Sequence, residues 1–494
     1  MFAEVVISLL LVWLVWFCIT TYLERRTLPP GPFPFPWIGN LPVLLTNPVN
    51  PMRILRQKYG DIFTLTFVTG NTVFLNNATL MQEARLTRKD DILGILSEYF
   101  YPINIIVGSN DLVYADYGTV YLFRRKVFMS AMHVFGTGIE KAEEKVGFAV
   151  RSALERIESL NGQPFSAKDL AASAILIQLW EWITSKKVSF DDPTITSLFE
   201  FRDILVKQSW QSALYELLPF QSYLPTEFNR NIKRAQRIKD MIFPPEFKTH
   251  MESYVPGVIR DMTDSFISAY EKEIAKENAK DIGSINDIPG LMLDVALGGS
   301  DTTSATIAWF ILYMVLYPDI QAKLHAELDQ VVGNERLPCW EDAKDMHYLQ
   351  ATLCEVLRRS TPIPAARANA IRDVTLGGYR IPKGTLVVFN LSEIHLDKRE
   401  WPQPDEFIPE RFLNGDGNFV GWTSFHAFMP FSLGRRKCAG MRFAKIMMFT
   451  FTAAMLHHFK FELPYGVEKP SSEPPGLQII TSPNDFEVVA KKRC

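Results

Sequence analysis

The residues best suited to chemistry surround Cys438. The stretch Phe431-Ser432-Leu433-Gly434-Arg435-Arg436-Lys437-Cys438-Ala439-Gly440 leads straight into an apolar run, Met441 to His457, that has the length of a helix. A loop ending at a helix N-terminus offers free amides and the positive end of a dipole, and both stabilise a thiolate. Gly434 and Gly440 permit a tight turn and the close approach of a flat ligand. Arg436, two residues from the cysteine, supplies a cation suited to an anionic group on such a ligand. The bland alternative is an ordinary loop with a buried cysteine. Cys18, Cys339, Cys354 and Cys494 are read that way: they are few, the total is odd and none form close pairs, so neither a disulfide framework nor a zinc knuckle is indicated.

Two other stretches carry weaker signals. Leu297-Gly298-Gly299-Ser300-Asp301-Thr302-Thr303 lies inside an apolar helical run from Met292 to Tyr317. Each interior glycine costs such a helix about 1 kcal/mol relative to alanine, so the pair calls for a close approach by something, a ligand or another helix. Glu355 and Arg358 stand three apart and share one helix face. Alone, such a pair is ordinary solvated decoration.

The cysteine stretch matches every specified position of the F-x-x-G-x-R-x-C-x-G haem-binding signature, and in this the chain resembles the cytochrome P450 family. The resemblance implies that Cys438 is the axial thiolate to the iron of haem b, with Phe431, Gly434, Arg436 and Gly440 holding the cofactor. A thiolate pushes electron density through iron and favours O–O cleavage. The Leu297–Thr303 stretch is similar to the family's oxygen-binding motif, [AG]-G-x-[DE]-T. This implies that Gly298 and Gly299 open a groove beside the cofactor and that Asp301 and Thr302 form the acid–alcohol pair delivering protons to dioxygen. Glu355 and Arg358 resemble the family's ExxR, and Arg411 in Pro409-Glu410-Arg411-Phe412 falls where the family completes a buried triad. That triad is structural, because a buried pair lacking a partner is strongly destabilising.

Where the family has a Trp four residues before an Arg, this chain has Tyr121 before Arg125, and a phenol also donates. The resemblance assigns Arg125 to a haem propionate and makes Tyr121 a stand-in. Ala368 occupies a position where animal relatives often carry a propionate-binding His, which offers Arg367, one residue earlier, as a replacement. Arg124, Lys126, Arg435, Lys437, Arg442 and Lys445 form a candidate basic face for an acidic flavoprotein reductase, or simply a solvated surface.

Those groups need a large scaffold. The chain has 494 residues, of which 47% are apolar and 22% charged, an ordinary globular composition. Its net charge of -3 gives no reason to expect a nucleic-acid partner. Val5 to Leu23 is uncharged, and as a helix reaches about 28 Å, the thickness of a bilayer core. Glu4 precedes this run and Arg25-Arg26 follow it, which is the reverse of a cleaved signal peptide and places the bulk of the chain in the cytosol. The prolines from Pro29 to Pro36 exclude helix and make a stiff connector. The expected organisation is therefore a transmembrane anchor over residues 1–24, a proline-rich hinge over 25–40 and one haem-thiolate monooxygenase domain over 41–494. Strand-like runs occur at Ile62–Phe67, Thr72–Leu75 and Thr385–Phe389. Amphipathic helical runs cover Gly138–Leu160, Pro318–Val332 and Leu349–Arg359, so the fold class is mainly α with small β-sheets.

Ile259-Arg260-Asp261-Met262-Thr263-Asp264, together with His395-Leu396-Asp397 followed by Trp401-Pro402, most resembles the animal microsomal branch that includes steroid 17-hydroxylase, steroid 21-hydroxylase and aromatic-hydrocarbon hydroxylases. The resemblance implies electrons from NADPH through the FAD and FMN of a reductase, with a small acidic haem protein as a second donor, an endoplasmic reticulum location, and a steroid-like or xenobiotic substrate. Tyr99, Phe100, Ile105, Asp294, Leu297, Ile363 and Ile480 are the candidate pocket residues, and their largely apolar character calls for a lipophilic substrate. Alternatives are a reductase-independent isomerase of the same fold, a catalytically silent haem-binding lipid carrier or sensor, and a membrane tether without haem. NADPH consumption, product formation and a carbon monoxide difference spectrum separate them.

Overall fold

The computed structural model describes residues 2–45, 51–95, 106, 111–136, 139–207, 224–276, 281–474 and 478–493. Helices carry most of it: α1 (Phe2–Arg25), α2 (Thr119–Gly136), α3 (Ala167–Thr184), α4 (Pro193–Lys207), α5 (Glu227–Ser253), α6 (Met262–Ile274), α7 (Ile288–Leu316), α8 (His347–Ser360) and α9 (Met441–His458) are those that matter below. Local chemistry fixes their starts. The Ser166 hydroxyl accepts the Asp169 N–H at the head of α3, and the Asp261 carboxylate accepts the Asp264 N–H at the head of α6. Strands are short: β1 (Ile62–Phe67), β2 (Gly70–Leu75), β3 (Ile92–Gly94), β4 (Phe165–Ser166), β5 (Ala365–Ala370), β6 (Val374–Leu376), β7 (Tyr379–Ile381), β8 (Leu386–Asn390), β9 (Phe459–Glu462) and β10 (Glu487–Lys492). The mainly helical class, and the strands and helices expected from periodicity, are thus found with their ends shifted by a few residues.

Contacts group the chain into two units that interleave in sequence. The smaller holds Met1–Ile95, Ala365–Ile394 and Leu433–Arg435. Its sheet runs β1-β2-β8-β5-β3, antiparallel except for the parallel β2–β8 pair, over a core of Leu55, Phe63, Leu65, Phe74 and Val388. In this unit α1 is exposed over most of its length and is long and apolar enough to cross a membrane. The proline stretch after it does not hang free. Thr64 N–H donates to the Pro30 carbonyl (2.8 Å), and the Arg25 guanidinium donates to the carbonyls of Pro32 (2.5 Å) and Thr64 (3.1 Å).

The larger unit holds Leu96–Pro364, His395–Ser432 and Arg436–Cys494. Its axis is α7, apolar on nearly every side and buried from Leu291 to Ala296 and again from Thr303 to Met314. α3 packs along it, and β4-β10-β9 form a small antiparallel sheet.

Candidate active site

Cys438 N–H donates to the Phe431 carbonyl (2.9 Å), closing the cysteine loop at its neck. Gly434 has φ +72°, and a Cβ there would collide with the Arg85 carbonyl, so the turn admits only glycine. Gly440 caps α9 and its N–H reaches the sulfur. Cys438 is solvent-accessible, yet protein surrounds its sulfur. Burial raises the thiol pKa, opposed by the Gly440 N–H and the charge of Arg125. Such a thiol is neutral at pH 7 and becomes a strong ligand once a metal cation replaces its proton.

Beside it, three expected propionate donors come together. The Arg436 guanidinium lies 4.3 Å from the centre of the Tyr121 ring and donates to the Ala115 carbonyl (2.9 Å). Arg125 donates to the Lys437 carbonyl (2.8 Å) and to the Tyr121 hydroxyl (3.5 Å). A guanidinium only donates, so the phenol proton is left to point at another acceptor. Burial lowers the Arg436 pKa, and the neighbouring Arg125 charge lowers it further. Two guanidiniums held this close are relieved by an anion.

Arg367 belongs to the smaller unit. It lies on β5, paired with Val388 of β8, while Ala368 pairs with Val387. Adjacent strand residues face opposite ways, so Arg367, which is exposed, and Ala368, which is buried, do not share a face of the sheet.

On α7 the two glycines separate. A Cβ at Gly298 would meet nothing within 4 Å, whereas one at Gly299 would lie 2.9 Å from Leu179 of α3 and 3.5 Å from Phe443 of α9. The groove expectation therefore keeps Gly298 alone, and Gly299 is a helix-packing position. The Thr302 hydroxyl donates to the Gly298 carbonyl (3.0 Å). Asp301 turns elsewhere, 2.6 Å from Arg202 of α4, with both side chains buried. Burial raises its pKa to about 6, although Arg202 pulls the other way.

Of the expected pocket residues, Leu297, Ile363 and Ile480 are half-buried, and the Thr481 N–H to Pro362 carbonyl bond (2.8 Å) brings the last two segments together. The Asp294 carboxylate is buried and takes the Leu112 N–H (2.6 Å), so it braces a loop; burial raises its pKa, as does the charge of Asp111. Tyr99, Phe100 and Ile105 lie outside the described residues.

Glu355, Arg358 and Arg411 do meet. Arg358 makes two 2.8 Å bonds to Glu355 and donates to the carbonyls of His395 (2.9 Å) and Glu406 (3.1 Å); Arg411 Nε donates to Glu355 (3.3 Å). The basic face loses two members. Arg124 is buried, donating to Asp287 (2.6 Å) and the Asp111 carbonyl (2.9 Å), and Lys445 is half-buried over aromatic rings. Lys126, Lys437 and Arg442 remain exposed, and Arg435 is ion-paired to Asp90 (2.7 Å).

The family model described as Cytochrome P450 matches residues 29–489. The chain belongs to the cytochrome P450 family. It is 32% identical to cytochrome P450 2C23 of Rattus norvegicus over 92% of this chain and 90% of that one. It is 29% identical to cytochrome P450 2E1 of Mesocricetus auratus, over 92% of each chain. It is also 29% identical to the steroid 17-alpha-hydroxylase/17,20 lyase of Squalus acanthias, over 96% of this chain and 95% of that one. The protein is thus a P450 monooxygenase, and the family implies a haem iron.

The residues present fit that group: an enclosed thiol at a helix head, a pair of guanidiniums around the Tyr121 hydroxyl, and an open helix face at Gly298. What sequence reasoning on this P450 missed is Arg202. It lies 99 residues from its partner Asp301 by count of the numbering, and no local pattern marks it. Only the folded chain, which brings Arg202 of α4 to Asp301 of α7, shows the pair.

Proposed function

We propose that this P450 inserts one atom of dioxygen into an unactivated C–H bond of a lipophilic substrate, steroid-like or xenobiotic, with electrons from NADPH through a flavoprotein reductase. The enclosed Cys438 thiol beside Arg125 and Arg436 carries the reading. Haem, when bound, supplies the dioxygen chemistry. Cys438 would hold its iron through sulfur, and Arg125, Arg436 and the Tyr121 hydroxyl would hold its propionates. Asp301 is protonated or not within reach of neutral pH, and the Thr302 hydroxyl stands one residue away on a helix face opened by Gly298, so the two are the chain's means of moving protons to the reacting centre. Leu297, Ile363 and Ile480 give the substrate side an apolar lining. α1 anchors the chain in the endoplasmic reticulum membrane with the body in the cytosol, and exposed Lys126, Lys437 and Arg442 would meet an acidic electron donor.

The test is Cys438→Ser in the purified full-length protein. The ferrous carbonyl Soret band should lose its thiolate position, and an unchanged band removes the reading. Substrate class is then found by product analysis with reductase, NADPH and a mixed steroid and xenobiotic panel.

A further inference from the structure

Lys445 is a cation in an unusual place. It stands in the second turn of α9, shortly after the cysteine loop, and is half-buried. Its ammonium lies 4.5 Å from the centre of the Trp422 ring and 5.8 Å from that of Phe431. The two rings are neighbours, 6.5 Å apart. Trp422 is fixed from behind, its indole N–H donating to the Gln350 side chain of α8 (3.2 Å). Phe431 is the first residue of the loop, and its carbonyl takes the Cys438 N–H. Burial lowers the Lys445 pKa, the direction expected of an ammonium that has lost part of its water; the ring faces beside it act the other way and favour the charge.

We propose that Lys445 is a positioning residue for the cysteine ligand. Its ammonium clamps Phe431 and Trp422 to α9, so the two ends of the cysteine loop keep one spacing and the sulfur one aim. The loop opens at Phe431 and closes at Gly440, where α9 begins. The Phe431–Cys438 hydrogen bond closes the neck and Arg125 holds the Lys437 carbonyl, while Lys445 ties the Phe431 ring itself to α9. A cation is suited to the task because ring quadrupoles attract it from two sides, and a desolvated one gains more than a hydrated one. This rests on Cys438 being the iron ligand.

The experiment uses the full-length, haem-loaded protein and reads two quantities besides turnover: the position of the ferrous carbonyl band, and the rate at which haem passes to an excess of an apo-haemoprotein acceptor. Lys445→Met keeps bulk and removes charge; it should release haem about tenfold faster, on the strength of a desolvated cation–π contact, and shift part of the carbonyl band away from the thiolate position. Lys445→Arg should restore both. Trp422→Phe and Trp422→Leu read the same contact from the other side, even where a Lys445 variant fails to accumulate, and should rank Trp, Phe, Leu in increasing haem release. In Lys445→Met, exchanging Trp422 for Leu should add little, because the partner is already gone. Wild-type behaviour of Lys445→Met overturns the proposal, as does Lys445→Arg failing as badly as Met, or a flat series at Trp422. If Cys438→Ser retains the wild-type band, the ligand assignment itself fails; a changed band there with an inert Lys445→Met removes the brace alone.

Discussion

Two buried ion pairs of the larger unit are built to different standards. At Glu355 and Arg358 every charge is satisfied: both carboxylate oxygens accept, and the guanidinium donates through Nε and both terminal nitrogens. Ile408 N–H and Arg411 add donors to Glu355 (2.9 and 3.3 Å). At Asp301 and Arg202 there is one close approach of 2.6 Å, and among the described residues neither Asp301 Oδ1 nor Arg202 Nε and Nη1 completes a well-aligned hydrogen bond. Burying charge is tolerable when hydrogen bonds replace all the lost water, and expensive when they do not. The saturated network is therefore scaffold, and the sparse pair is a charge arrangement with little to keep it from changing.

The largest expected effect is at the scaffold. Arg358→Ala leaves Glu355 with only its weaker donors, Ile408 N–H and Arg411, and should lower unfolding free energy by about 3–5 kcal/mol, measured by denaturant titration. A loss as small as that of a surface substitution would erase the contrast.

The second test sets Asp301→Asn against Glu355→Gln across pH. The folded Asp301 holds its proton up to about pH 6, whereas its ordinary value is 3.8. The folded state therefore binds the extra proton between those limits, and stability falls as pH rises from about 4 to about 6, by on the order of 3 kcal/mol if the pair does not rearrange. Asp301→Asn should flatten that slope and cost little at pH 7, whereas Glu355→Gln should cost stability without flattening it. Parallel pH profiles for the two variants would sink the distinction.

Two buried histidines sharpen it further. His395 is packed against the scaffold: its Nδ1 bonds the Thr361 hydroxyl (2.9 Å), whose own proton goes to the Arg358 carbonyl, and its Nε2 accepts the Met429 N–H (3.1 Å). That pattern fits only a neutral ring, and burial, with Arg358 adding, lowers its pKa to about 3. Its stabilising share is whole above about pH 6.5 and is lost as pH falls toward 3. At His250 burial lowers the pKa, but Asp261 and Glu246 outweigh it and the net shift is upward. Both ring nitrogens face acceptors, the Glu246 carbonyl and Asp261, each at 2.9 Å, so the ring is an imidazolium. Its share is whole below about pH 6.5 and is lost as pH rises through the raised value. Histidine NMR titration should show His250 titrating above the ordinary range and His395 silent down to about pH 4; the reverse order would contradict the hydrogen bonding.

The smallest effect concerns the two glycines. Gly299→Ala pushes a methyl into Leu179 and should cost about 1–3 kcal/mol. Gly298→Ala meets open space and should leave stability unchanged or slightly raised, while altering the substrate-induced spectral shift. Equal losses at both would mean that the whole turn is packing surface.

Much of this was readable in the linear chain. Helices and strands followed from periodicity because burial imposes it, and the cysteine loop stood out because a ligand, its turn and its cation sit within ten residues. Glu355, Arg358 and Arg411 were legible only as a motif, since nothing in their spacing tells a saturated core network from surface decoration. The same ambiguity misplaced Arg124, whose fate depends on Asp287, 163 residues away.

Local properties are written in the linear chain: which residues can ligate, cap, turn and cross a bilayer. Tertiary structure decided which of two adjacent glycines faces a helix, which side of β5 carries Arg367, and that Asp301 faces an arginine on another helix. Those outcomes depend on helix rotation and strand register, set by the packing of segments far apart in the chain, and no spacing within one segment encodes them.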